Sequence, residues 1–286
     1  QAASLRDFFA GFELDEAAHQ AVARAARARG LAFVSTPFDE DAVAMLVALD
    51  VDALKIASGD ITHHRLIAAA AATGRPLIVS TGMSSLDEVA SAVACARQAG
   101  AADLVLLHCV SCYPAPAEAA NLRVVATLAR EFGVPVGLSD HGTDPLAPAL
   151  AVALGACVYE RHVVAHGADP AIDRAVSSTP AELADAVALA RRARTLLGDG
   201  TRCCSPAEAG NLLPSRRSLH AARDLARGER LGAGDLVALR PCRGIGADRW
   251  REVVGCTLLA DVPAGRPLTA AHLDLAARPD LERRSS

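Results

Sequence analysis

His141 and His162 are the residues of this 286-residue sequence best placed to do chemistry. Each closes an apolar, β-branched run: Val136-Gly-Leu-Ser139-Asp140-His141 and Val158-Tyr-Glu160-Arg161-His162. If the two runs are neighbouring strands of a parallel α/β sheet, their carboxyl ends lie side by side above one face. Twenty-one residues of chain then become contact distance. Two imidazoles so placed can hold a divalent cation and leave positions open for substrate oxygen. Asp140 and Glu160, just before the two histidines, are the expected orienters of the ring N–H groups. A lone histidine at a strand end is more often a hydrogen-bonded structural group, but a pair on adjacent strands favours the metal.

Four earlier apolar runs also turn polar at their ends: Phe33 to Thr36, Leu54 to Asp60, Leu77 to Thr81 and Val105 to Cys109. In a (β/α) barrel those ends converge on one site. They carry hydroxyls at Thr36, Ser58, Ser80, Thr81 and Ser139, and a cation at Lys55. Hydroxyls, glycine-flanked backbone N–H groups and a lysine together make a phosphate or carboxylate cradle, although each hydroxyl alone would serve as a helix cap. Lys55 has a second reading, because a desolvated lysine at a strand end forms Schiff bases with carbonyl substrates. The histidine pair favours a metal instead. Cys109-Val-Ser-Cys112 has redox-motif spacing but lacks the usual flanking residues.

The elements that must position these residues alternate. Residues 14–29 have helical apolar spacing and stop at Gly30, and the first strand pattern begins at Ala32. Six strand–helix units follow, which predicts a TIM-type (β/α) barrel domain over residues 1–198. A linker is expected over 199–215 and a second, β-rich domain over 216–274. In it, Asp224-Leu-Ala-Arg-Gly228…Leu231 matches Asp261-Val-Pro-Ala-Gly265…Leu268 at a constant offset of 37, which predicts a small pseudo-twofold module. Between the copies lies a Gly-rich loop with Arg240 and Arg243. Residues 275–286 are charged and are expected to be disordered.

An apolar fraction of 51% gives ample core, and a net charge of −4 without a basic cluster argues against a nucleic-acid partner. No run is long and apolar enough to cross a membrane, and the first thirty residues lack a signal-peptide core. Eight scattered cysteines suit reduced thiols. A cytoplasmic enzyme is expected.

The ordered motifs Ser35-Thr36-Pro37-Phe38-Asp39, Lys55-Ile-Ala-Ser58-Gly59-Asp60, Ser80-Thr81-Gly82-Met83, His108-Cys109…Tyr113-Pro114, Ser139-Asp140-His141 and Glu160-Arg161-His162 resemble the N-acetylneuraminate (sialic acid) synthase family. That family includes the legionaminic and pseudaminic acid synthases. Arg216-Arg217-Ser218-Leu219 and Arg240-Pro…Gly244-Ile245 resemble its C-terminal antifreeze-like (SAF) domain.

The resemblance implies condensation of phosphoenolpyruvate with an N-acetylated amino sugar such as N-acetylmannosamine, giving a nonulosonic acid and phosphate. It implies Mn²⁺ or Mg²⁺ on His141 and His162. It places phosphoenolpyruvate on Lys55, Thr36, Ser58, Ser80 and Ser139, gives Asp60 and Glu160 sugar or proton-handling roles, and sets Asp173 against the sugar. It further implies a domain-swapped homodimer in which Arg240 reaches the partner's barrel.

Three departures stand out. The family's two leading strands and their Asn-His-Asn-Gly-like motif have no counterpart here, so an open six-stranded barrel with weak or no turnover is expected. Asp173-Arg174 replaces an Asp-His pair. Val164-Ala165-His166 and Ser111-Cys112 also differ from the common pattern, which leaves the sugar open. Two other readings remain at this point: a Lys55 Schiff-base aldolase and a non-catalytic carbohydrate-binding protein.

Overall fold

The six apolar runs become six strands that pair in chain order. They are β1 (Val34–Ser35), β2 (Ala53–Ile56), β3 (Leu77–Ser80), β4 (Leu104–Cys109), β5 (Val136–Asp140) and β6 (Val158–Arg161), every neighbouring pair parallel. The computed structural model describes residues 4–166 and 171–274, so the tail expected to be disordered lies outside the described residues. The chain divides into two units, Gln1–Gly200 and Thr201–Ser286.

Parallel strands in sequential order are the winding of a (β/α) barrel. A flat sheet would separate β2 from β6 by about 19 Å, four inter-strand spacings. Yet Lys55 Nζ of β2 stands 3.5 Å from Glu160 Oε1 of β6, so the sheet is curled into a half-barrel. Among the described residues β1 and β6 are its open edges.

Alternation along the strands sorts the two faces. Leu54, Ile56, Leu77, Val79, Leu104, Leu106 and Val136 face the helices and form one buried core with Leu46, Leu66, Ile67, Val89, Val93 and Leu128. Lys55, Ser80, Cys109, Ser139 and Glu160 fall on the concave face, by the register that pairs Cys109 with Ser139 and Ser139 with Glu160. Gly137, in phase with Ser139, shares that face and must lack a side chain, because a Cβ there would sit 2.5 Å from the Val158 carbonyl and 2.6 Å from Leu107 Cδ2.

The packing helices are α1 (Leu5–Ala10), α2 (Glu16–Arg27), α3 (Glu40–Ala48), α4 (His64–Ala71), α5 (Leu86–Gln98), α6 (Val124–Phe132), α7 (Ala147–Ala153) and α8 (Pro180–Leu197). Their ends are set locally. Asp15 and Asp39 accept N–H bonds at the starts of α2 and α3, and Ser85 and Thr179 close capping boxes with Glu88 and Glu182. Gly133 ends α6 in the left-handed conformation. No helix among the described residues is long and apolar enough to cross a membrane.

Truncating the fully buried Leu66 of α4 to alanine is expected to cost about 2–5 kcal/mol, read as a lower urea midpoint at unchanged m-value. His108, 6% exposed, contributes a pH dependence. Burial pushes its pKa below the ordinary value, with the hydrogen bond to the Ala120 carbonyl (2.8 Å) opposing. Below about pH 6.5 the unfolded chain takes up a proton that the folded chain refuses, down to the depressed folded pKa. Stability therefore falls as pH drops through that window, at up to about 1.4 kcal/mol per pH unit. His108→Gln should flatten that slope in urea melts compared at about pH 7 and about pH 5.5.

In the second unit β7 (Ser218–Ala221) and β8 (Leu236–Leu239) pair antiparallel. The stretch read as linker contains two single-turn helices, α9 (Pro206–Ala209) and α10 (Leu212–Ser215), and α11 (Trp250–Val253) lies further on. The sequence repeat is a structural twofold. Leu225 and Val262, equivalent at the 37-residue offset, exchange both backbone hydrogen bonds. Arg227 N donates to Asp261 Oδ1 at 2.7 Å and its mate Ala264 N to Asp224 Oδ1 at 2.8 Å. The loop after β8 is tied down by buried Ser218, whose Oγ accepts from Arg243 N and lies 3.1 Å from His220 Nε2.

Candidate active site

His141 and His162 stand one residue past β5 and β6, their ring centres 5.4 Å apart at 61°. His141 Nδ1–H donates to the Val110 carbonyl at 2.8 Å, leaving Nε2 with its lone pair. His162 Nδ1 faces Asp173 Oδ2 at 3.5 Å. Burial, the largest influence, pushes the His162 pKa below the usual histidine value; Asp173 opposes it and His141 adds to it. A metal-bound imidazole must be neutral and commonly has its other nitrogen held by a carbonyl or carboxylate. Each ring has one nitrogen placed that way, His141 against the Val110 carbonyl and His162 against Asp173.

With metal–nitrogen bonds of about 2.1 Å, each ring centre lies about 3 Å from the ion, so a 5.4 Å separation lets one ion reach both rings. No group of three His, Cys, Asp or Glu residues converges among the described residues. The two rings by themselves fit a cation held by two nitrogens, with its other positions left to oxygen.

The expected orienters need correction. Asp140 points to the helix-facing side, where it pairs with Arg161 and accepts from Tyr159 Oη, because adjacent strand residues alternate faces. Glu160 stays on the concave side but is taken up by Ser139 Oγ–H at 2.6 Å and by Lys55. The groups that aim the rings are the Val110 carbonyl and Asp173. Sequence reasoning missed the first because it is backbone, and set the second against the sugar.

Tyr113 was also not singled out as a site residue. Its ring stacks on His141 at 4.3 Å and meets His162 edge-on at 5.6 Å. Burial, then the charges of Cys109, Asp173 and Glu160, push its phenol pKa up, which keeps the hydroxyl a donor.

Beside the histidines is the hydroxyl cluster. Ser58 Oγ accepts from Gly82 N at 3.0 Å and lies 3.0 Å from Cys109 Sγ. A Cβ on Gly82 would collide with Ser111 Oγ and stand 2.9 Å from both Ser58 Oγ and Cys109 Sγ, so these four residues surround one small space. Ser80 Oγ is buried without a hydrogen-bond partner among the described residues.

Thr81 is instead a strand brace, donating to the Leu107 carbonyl at 3.0 Å. Thr36, just past β1, and Asp60, in the turn Ser58–Asp60, are half-buried and make no side-chain hydrogen bond among the described residues. Arg240 is exposed in the second unit. Cys109 is buried and Cys112 exposed, both as free thiols, so the CxxC spacing forms no disulfide. Arg174 lines a pocket of about 410 Å³ between α7 and α8 whose lining does not include His141 or His162.

Filling the Gly82 space should disturb the cradle more than the fold. Gly82→Ala is expected to weaken anion binding at least about tenfold, measured by calorimetry, because Ser58 must move off its bond to Gly82 N.

Residues 1–202 match the NeuB family and residues 216–274 the SAF domain. The chain belongs to the NeuB family. This NeuB-family chain is 39% identical over 266 residues to the N,N'-diacetyllegionaminic acid synthase of Legionella pneumophila, covering 92% of this chain and 75% of that protein. Its fold superposes on the spore coat polysaccharide biosynthesis protein E of Chromobacterium violaceum with a TM-score of 0.83 at 30% identity, over 95% and 82% of the two chains. The N-acetylneuraminic acid (sialic acid) synthetase of Leptospira borgpetersenii in complex with citrate gives 0.67 at 35% identity, over 70% of each. Membership of a family of synthases makes this NeuB-family chain an enzyme of the transferase class.

Proposed function

We propose that the site condenses phosphoenolpyruvate with an N-acetylated amino sugar to form a nonulosonic acid, releasing phosphate. The observation that carries this reading is the pair of tied-back imidazoles beside Lys55, Glu160 and a hydroxyl-lined space. The enzyme names of its relatives support the product class.

His141 and His162 would hold the cation, Mn²⁺ or Mg²⁺, which when bound supplies Lewis-acid polarisation of the sugar aldehyde. Lys55, Ser58, Ser80 and Ser139 hold the phosphoenolpyruvate anion, with Thr36 at the β1 edge, through charge-assisted bonds in a partly dry site. In the condensation C3 of phosphoenolpyruvate forms the new carbon–carbon bond to the aldehyde carbon, water adds at C2, and phosphate leaves with cleavage of its bond to that carbon. Glu160, hydrogen-bonded to Ser139 and paired with Lys55, is the group placed to move a proton, and Asp60 to meet sugar hydroxyls. Asp173 aims His162 and remains half-exposed toward the sugar.

A second copy of the chain is proposed to complete the site with Arg240. Phe38, Met83, Val163 and Ile172, all following strand carboxyl ends, are 68%, 74%, 50% and 61% exposed, an apolar rim suited to such a cover. Eight free thiols suit the cytoplasm as the compartment.

The test is phosphate release from phosphoenolpyruvate with a panel of N-acetylated six-carbon sugars, with and without chelator. Ligand binding is measured alongside turnover. Sugar-dependent release that stops with EDTA is expected. Borohydride trapping of a substrate on Lys55, indifferent to EDTA, would replace this reading with the Schiff-base aldolase.

A further inference from the structure

Behind the histidine pair, on the helix-facing side of β5 and β6, lies a buried polar cluster that the proposed chemistry does not use. Asp140 and Arg161 are register partners across the two strands, with side chains 8% and 10% exposed and an ion pair of 3.1 Å. Tyr159 Oη donates to Asp140 Oδ2 and Gly142 N to Asp140 Oδ1, both at 2.8 Å. Arg161 Nη1 donates to the backbone carbonyls of Asp140 (3.2 Å) and Gly142 (2.5 Å), and Nε to Ser178 Oγ (3.0 Å).

A buried ion pair adds little net stability over a well-packed apolar pair. What this one supplies is geometry. The two carbonyls that Arg161 grips flank His141 in the chain, and Arg161 itself precedes His162. Ser178, its third partner, donates its backbone N–H to the His162 carbonyl at 2.8 Å. One planar guanidinium thus joins the peptide groups on both sides of one ring to the strand end that carries the other. Only arginine presents donors in so fixed a fork; a lysine keeps the charge but cannot reach all of these acceptors at once.

We infer that the Asp140–Arg161 cluster is the positioning device that fixes the spacing and aim of the His141 and His162 rings, so that cation affinity depends on it beyond any effect on folding. The inference rests on the reading that these rings hold a divalent cation.

The test is Mn²⁺ titration of the full chain, read by the paramagnetic resonance of free Mn²⁺, together with thermal melts in chelator. Arg161→Lys should weaken Mn²⁺ binding about 10- to 100-fold, while phosphoenolpyruvate binding in chelator stays within about twofold. Leu66→Ala, destabilised through a distant core, should keep wild-type Mn²⁺ affinity despite its lower melting temperature. Wild-type affinity in a folded Arg161→Lys variant would overturn the inference, as would an equal loss in Leu66→Ala, because affinity would then merely follow stability. If Arg161→Lys does not fold, Tyr159→Phe removes one hydrogen bond to Asp140 and leaves both charges paired. A several-fold loss of affinity there supports the inference and no loss overturns it. A wild-type chain that binds no Mn²⁺ at all removes the cation reading itself, an outcome distinct from the others.

Discussion

His141→Ala and His162→Ala should each lower Mn²⁺ affinity at least about 100-fold, more than the 10- to 100-fold typical of losing a group that only orients a ligand. In the proposed site the two rings are the nitrogen donors, so removing either would leave a single imidazole and a solvated ion. The two losses should not add. Once one ring is gone the other has little left to hold, and the double variant should bind scarcely worse than either single. Both variants should fold, because the Nδ1 bonds of the two rings go to a loop carbonyl and a half-exposed carboxylate rather than into the core. Calorimetric Mn²⁺ titration with a melt of each apo variant checks this. Affinity within about threefold of wild type in either variant would move the metal elsewhere.

The second large effect is expected at Lys55. Lys55→Met keeps the stem that packs on the concave face and removes the ammonium. Phosphoenolpyruvate then loses a charge-assisted bond and meets Glu160 as an unpaired negative neighbour. The two losses together come to about 2–4 kcal/mol, or roughly 30- to 1000-fold in affinity. Adding Glu160→Gln should restore part of the binding, because the orphaned carboxylate is neutralised while an amide oxygen can still accept from Ser139. Glu160→Gln alone should leave anion binding nearly intact and lower sugar-dependent phosphate release by about 10²- to 10⁴-fold, as expected for loss of a proton-transfer group. Phosphorus resonance titration separates the binding arm from the turnover arm.

Most of what holds these groups in place was legible as pattern. Apolar runs ending in polar residues became parallel strands in chain order, and that order alone brought His141 and His162 to 5.4 Å. The 37-residue repeat was legible as matched spacing, and Leu225, Leu231, Val262 and Leu268 of its two halves share one core. What escaped was whatever depends on side-chain direction or on backbone. Asp140 beside a histidine suggested an orienter, yet strand alternation turns it to the opposite face. The carbonyl of Val110 carries no residue-type signal at all. Cys109 stood out for its spacing to Cys112, whereas its concave-face position sets its sulfur against Ser58. Arg174, read as a departure from the family pattern beside Asp173, lines the pocket between α7 and α8.

The central claim is that two imidazoles share one divalent ion next to an enolpyruvyl anion. Pulsed paramagnetic resonance of the Mn²⁺-loaded chain, prepared with isotope-labelled histidine and phosphoenolpyruvate, tests it most directly. The account predicts coupling to two imidazole nitrogens in the wild type, to one in His162→Ala, and a nearby phosphorus that disappears in Lys55→Met. Mn²⁺ coupled to no histidine nitrogen, or coupled to two that survive His162→Ala, would contradict it.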